Sequence, residues 1–467
     1  MRLRLLLTGL SVAVGACDAT SLTPASSDAA AAHVADADTP SAADDGPDAT
    51  PTTGTAQVAD AARLEDTSAH VDAAAQADAA TEPDAAALAD AGPRVDAGSS
   101  WKLGMNDVTI LAPLPTSVSS PVLLRGTDVA EDGARLVPKD LFDRLGGFTC
   151  FSAADAGTCP DEGLLLNTDY ENLHLVAVRF DLCDRTQPGI CAAGEDAGLR
   201  LVWQPVRGQS VAFADAGIHA FFAIPHAQLP SALTTLRELA QLQGAPVTSP
   251  LLVSPALSDS KQPAYAEKLR AFVRAHALRS RLVRLAMNVQ PVRYAQVRWL
   301  LRGLERQADG TFRELAIPGS AAVQQDVFAR GAGFEGVPAV DLPAGFSTIL
   351  RETGFQEAAP EAQVAGLQAL VDTEHPLKVA PGTAPCITCH TSTPLYQLRI
   401  NPFALPVQEV LRSAYVTPFD VSIDMGKPPS RGRSVRGLGY VLQTPVISRR
   451  VAHETAQVLT EIAQRFP

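Results

Sequence analysis

The chain has 467 residues, seven cysteines and a formal net charge of −13. Residues 18–100 hold 16 acidic residues against two basic ones, Arg63 and Arg94, so 101–467 is left near neutrality. The acidity therefore belongs to one segment, which excludes a uniformly acidic folded part, and the 367 residues after it are too many for one ordinary core.

The start of the chain, Met1-Arg2-Leu3-Arg4 followed by an apolar run from Leu5 to Val14, has the charge and length of a secretory signal. It is too short to span a bilayer. Its end, Val14-Gly15-Ala16-Cys17, resembles the lipobox of bacterial lipoproteins. That resemblance implies a signal peptide over 1–17, lipidation of Cys17, and an exported protein lipid-anchored to a bacterial membrane, on its periplasmic face or at the cell surface. An ordinary signal peptide cut elsewhere is the alternative. Residues 18–100 repeat Asp-Ala-Ala and Asp-Ala-Gly units, contain no aromatic residue, and carry Pro24, Pro40, Pro47, Pro51, Pro83 and Pro93. Such a segment cannot bury enough apolar surface to offset the entropy of ordering, so a disordered, self-repelling linker is predicted.

Residues 101–250 read as a β-rich domain. Apolar runs at Leu173–Leu182, Leu199–Val206 and Ile218–Ile224 are parted by Asp-Ala-Gly turns at 196–198 and 215–217, a pattern expected of a sandwich or irregular barrel. Four cysteines fall here, and in an oxidising compartment Cys150, Cys159, Cys183 and Cys191 are expected to pair. Three connectivities exist. Short turn-rich loops favour Cys150 with Cys159 and Cys183 with Cys191. His174, His219 and His226 share no metal spacing and read as strand or turn residues.

Residues 251–359 form a mixed α/β middle region. Tyr265, Leu269, Phe272, Val273 and His276 share one helical face, and Leu278, Leu282 and Leu285 extend a second strip, which predicts a long helix over 261–287. A hairpin follows, Arg298–Gln307 and Thr311–Ile317 around the turn Ala308-Asp309-Gly310. From Lys261 to Arg306 there are eleven basic residues against Glu267 and Glu305. Most such patches are solvated or paired; the functional alternative is an acidic redox partner or anionic lipid. Nucleic acid does not suit an exported lipoprotein.

Residues 360–467 hold the motif that dictates a chemistry, Cys386-Ile387-Thr388-Cys389-His390. On one helical turn the two thiols face the same side, so both can form thioethers to one porphyrin while His390 meets the iron. Zinc would need further ligands, and a redox CxxC pair would need a strand before it, where Pro381, Gly382 and Pro385 stand instead. Thr383 is a candidate N-cap, with Pro385 in the first turn. Helices are expected at Glu361–Val371, near Val407–Ser413 and at Ser448–Arg465. In outline, helix, CxxCH, loops and closing helix, the last hundred residues resemble a monohaem c-type cytochrome domain. The resemblance implies one covalent haem c on Cys386 and Cys389, His390 as proximal iron ligand, and an axial methionine in a downstream loop. Met425, in Asp424-Met425-Gly426-Lys427, sits at such a place; His375 and His453 are alternatives, as is an open site.

No nucleophile elbow, phosphate loop, dinucleotide fingerprint or second CxxCH occurs, and His453-Glu454-Thr455-Ala456-Gln457 lacks the second histidine of a zincin. The expected fold class is α+β: a β-rich N-terminal module, a mixed helical middle and a mainly α-helical cytochrome c-like C-terminal region. The expected function is membrane-anchored electron transfer, as a carrier rather than an enzyme. The alternative is a haemless interaction lipoprotein with a Cys386–Cys389 disulfide.

Overall fold

A computed structural model describes residues 103–115, 123–146, 167–184, 186–207, 212–213, 215–243, 250–258, 262–290, 298–399, 410, 414–423 and 435–466. Cys17, the linker 18–100, Cys150, Cys159 and Met425 lie outside these residues. The strands are β1 (Thr109–Leu111), β2 (Leu173–Asp181), β3 (Ala197–Arg207), β4 (Ala212–Phe213), β5 (Ala216–Ile224), β6 (Leu282–Val289), β7 (Arg298–Arg306), β8 (Phe312–Glu314), β9 (Gln324–Arg330), β10 (Gly333–Val337), β11 (Leu438–Val441) and β12 (Thr444–Ile447). The helices used below are α1 (Leu229–Gln243), α2 (Pro263–His276), α3 (Phe346–Leu350), α4 (Pro360–Glu374), α5 (Cys386–Arg399) and α6 (Arg449–Arg465).

The expected fold class is corrected by the sheet. Strands β1 to β10 form one ten-stranded antiparallel sheet in the order β1-β2-β3-β5-β6-β7-β9-β10, with β4 on β3 and β8 on β7. This sheet runs through both the expected β-rich module and the expected middle region, so neither is a separate layer. Nor is the C-terminal stretch a self-contained helical domain. It carries the hairpin β11–β12 besides its helices, and its core side chains are shared with the sheet. Val451, Ala456 and Leu459 of α6 join the cluster of β2, β3 and β5, whereas Leu370 of α4 and Ile387 of α5 join Trp299, Val327 and Phe334 of β7, β9 and β10. A fully buried side chain of this size contributes about 1.5–3 kcal/mol, which the C-terminal helices obtain from the sheet.

The expected helix over 261–287 is also corrected. Helix α2 stops at His276, and Leu282–Val289 is strand β6. Leu282 and Leu285 fit either period, but Leu285, Met287 and Val289 complete a two-residue alternation whose buried side faces the main core. The expected hairpin forms, with Arg306 opposite Phe312 and Gly310 at φ +82° in its turn.

Register places polar residues of β1, β2, β3, β6 and β7 in a single row, interrupted at β5 by Phe221. Thr109 lies opposite Arg179, Arg179 opposite Arg200, Arg200 opposite Phe221, Phe221 opposite Arg284, and Arg284 opposite Glu305. Residues paired across strands share a face, so this face is polar in the middle of the sheet, and the C-terminal segment covers it. Thr109 and Thr455 hydroxyls meet at 2.7 Å, and Arg179 donates to Glu454 at 2.5 Å. Farther along the same face, the amide of Gln204 exchanges two hydrogen bonds with the Tyr440 backbone at 2.8 and 2.7 Å.

Candidate functional site

The Cys386-to-His390 motif begins helix α5, which starts directly at Cys386. The expected cap is not the one observed. Thr383 instead hydrogen-bonds Ala380, and the first-turn amide of Ile387 donates to Oε1 of Gln325, a fully buried side chain of β9, at 2.8 Å. The sheet thus holds the helix start, satisfying an amide that no residue within the helix can reach.

A cavity of about 460 Å³ opens between the polar sheet face and the C-terminal helices, within the range typical of small-molecule and cofactor sites, roughly 300–1,000 Å³. Cys386, Cys389 and His390 of α5 line one wall, and His219 and Phe221 of β5 line the other with Arg200 and Arg284. Both motif thiols are free, so the expected alternative of a Cys386–Cys389 disulfide is not formed in this structure. Burial pushes the Cys386 thiol up to about 12, helped by neighbouring Cys389, and burial raises Cys389 as well. These sulfurs are therefore protonated, unlike the thiolates of redox CxxC pairs.

His390 is oriented by its other nitrogen. Nδ1 lies 2.8 Å from the carbonyl oxygen of Val435. A carbonyl only accepts, so Nδ1 carries the proton and Nε2 is left with its lone pair, the tautomer a metal needs. Val435 is itself fixed, because the adjoining Arg436 donates to Asp215 at 2.8 Å and to Asn288 at 3.1 Å. Burial pushes His390 below the ordinary imidazole value, against the opposing effect of the Val435 hydrogen bond.

His219, expected from the sequence to be a strand or turn residue outside any site, lines this cavity. It lies opposite Val202 and Ala286, one step from the polar row. Burial holds it well below the ordinary histidine value, with Arg200, Arg436 and His390 adding to the effect. Period-two alternation in Ile218-His219-Ala220-Phe221-Phe222 put it on the less apolar face, but nothing in the sequence said that this face lines a cavity with the CxxCH motif.

The cavity has a cationic side. The guanidinium groups of Arg200 and Arg284 stand 4.7 and 5.5 Å from the Phe221 ring centre. Glu454, also on the lining, is opposed by burial, yet Arg179, Arg450 and Arg200 outweigh that and hold its carboxyl well below the usual carboxylate range.

Other expected residues are placed elsewhere. His375 and His453 both pack on Tyr415, with ring centres 5.2 Å away in each case, and neither lines the cavity. Nδ1 of His453 donates to the carbonyl of Glu374 at 2.9 Å, and Nδ1 of His375 accepts from the Leu377 amide at 3.2 Å. Met425 lies outside the described residues. Cys183 and Cys191 are disulfide-bonded, and the loop they close supports the motif. Its Thr186 carbonyl accepts from the Gly382 amide at 3.0 Å, just before α5. A Cβ on Gly382 would stand 2.2 Å from that oxygen, so only glycine permits the approach.

Among the described residues, no further His, Cys, Asp or Glu atoms gather on Cys386 and Cys389 as a zinc site requires. Much of the basic stretch 261–306 is paired: Lys268 with Glu238, Arg279 with Asp140, Arg284 with Glu305, Arg298 with Asp326 and Arg302 with Glu314. Among the described residues no helix is long and apolar enough to cross a membrane. Compared with protein-family models, with curated proteins and with solved structures, the chain matches none.

Proposed function

We propose that this chain is an exported, lipid-anchored c-type haem protein that carries single electrons through one covalently held haem. The observation that supports this most is the convergence of both motif thiols and the ligand-competent His390 on one cavity of cofactor size. The donor set suits the group. Cys386 and Cys389 would hold it, each thiol adding across one vinyl double bond, sulfur to one carbon and its proton to the other, with no oxidant or leaving group required. His390 would give the iron a nitrogen, and Arg200 would offer a cation to the carboxylates that every haem carries. Bound there, the iron supplies one-electron exchange between its ferrous and ferric states. The residues that would hold it are half-buried.

The anchor on Cys17 and the linker 18–100 would set the folded part off from the membrane surface. The test is expression with and without haem-attachment machinery, followed by a denaturing gel stained for haem. The expected result is a stained band that disappears in the Cys386→Ala/Cys389→Ala variant. An unstained wild-type band rejects the haem reading and leaves the haemless interaction protein.

A further inference from the structure

We propose that His219, from the sheet, supplies the second axial nitrogen to a haem held by Cys386, Cys389 and His390. This rests on the haem reading above and goes beyond it by naming a ligand that lies 171 positions before His390 in the chain.

Three observations carry it. His219 and His390 line the same cavity, one from the sheet wall and the other from the helical wall. The His219 ring has no hydrogen-bond partner among the described residues, and it stacks on Phe221 with ring centres 6.5 Å apart. The ring is half-buried on the cavity wall, and coordination would give it the polar partner that the surrounding protein does not. Finally, the competing donors among the described residues point elsewhere. His375 and His453 pack on Tyr415 and do not line the cavity. Met287 also borders the cavity, but its register partner is Ile218 and its side chain belongs to the main hydrophobic core, on the opposite side of the sheet from His219.

The consequence is functional. Two histidines hold iron at a lower potential than a histidine and a methionine, and they close the site to small ligands that an open position would admit. The site would therefore exchange electrons without binding diatomic gases.

The experiment uses the full chain expressed with haem-attachment machinery: wild type, His219→Ala, His219→Met and Met425→Ala. The denaturing gel stained for haem is read first. Absence of stain in the wild type overturns the haem reading and this inference together. With stain present, the ferric absorption and electron paramagnetic resonance spectra are read next. A low-spin wild type, a high-spin His219→Ala that returns to low spin with added imidazole, and an unchanged Met425→Ala are expected. His219→Met keeps six ligands, so it is expected to raise the midpoint potential and gain a sulfur-to-iron charge-transfer band even where the alanine variant folds poorly. A high-spin wild type, a His219→Ala spectrum identical to wild type, or loss of the low-spin signal in Met425→Ala each overturns the assignment while leaving the covalent haem in place.

Discussion

Nη1 of Arg179 on β2 donates to Oε2 of Glu454 on α6 at 2.5 Å, and the two residues are 275 positions apart. Both side chains are buried, and Arg450 donates to the other Glu454 oxygen at 2.8 Å. The pair fastens the closing helix to the sheet face that carries the cavity. Without the Glu454 carboxylate Arg179 keeps Asp181, at 2.6 Å, but buried Arg450 loses its ion-pair partner, and breaking such a buried pair costs about 3–5 kcal/mol. Glu454→Gln is therefore expected to lower unfolding free energy by that amount in urea titration, and a loss below about 1 kcal/mol would mean that α6 is held by its apolar side alone.

Stability is expected to fall in acid. Burial, then Arg125, holds His174 at about 4, and burial, then Arg281, holds His276 at about 4. Both folded values lie below the unfolded value near 6.5. The unfolded chain therefore binds the proton first, and stability present above about pH 6.5 is lost as pH falls toward 4, by at most about 3 kcal/mol per ring. Asp107 has the opposite sign. Burial raises it to about 6 against a hydrogen bond from the Gly104 amide, so its folded state binds the proton first and gains stability as pH falls from 6 toward 4. Urea midpoints measured from pH 8 to 4 should fall in the wild type, less steeply in His276→Phe and more steeply in Asp107→Asn. Parallel curves for all three would remove these groups from the account.

The Cys183–Cys191 bond closes a loop with a sequence separation of 8. A loop of that length is worth about 2–3 kcal/mol by chain entropy. The Cys183→Ala/Cys191→Ala variant should lose that much, and because the Thr186 carbonyl contacts Gly382, amide exchange at Gly382 should also accelerate. Unchanged exchange there would separate the disulfide loop from the motif.

Gln325→Ala strips the Ile387 amide of its acceptor inside the core. An unsatisfied buried amide costs about 1–3 kcal/mol. The variant should lose stability in that range and show faster exchange at Ile387, the second residue of α5. A stable variant with slow exchange would show that α5 caps itself.

Local chemistry determined a good share of this protein from its sequence. Strands β2, β3 and β5 were legible because apolar runs were cut by Asp-Ala-Gly turns, and α4 and α6 because their apolar stripes had clear starts, Ser448 accepting from the Val451 amide at 3.2 Å in α6. Cys386, Cys389 and His390 stood out by their spacing, and the structure brings all three to one cavity. Strand β6 was not, since Leu282 and Leu285 satisfy both a helical and a strand period. The division into modules failed for a related reason: a sheet gathers its strands by backbone pairing, which leaves no mark on composition. Only the tertiary structure decided that Arg179, Arg200, Arg284 and Glu305 form one row, that Val435 fixes the tautomer of His390, and that His219 shares its cavity. Each of these depends on register between segments far apart in the chain, and a single strand's alternation shows which face a residue takes but not what lies across from it.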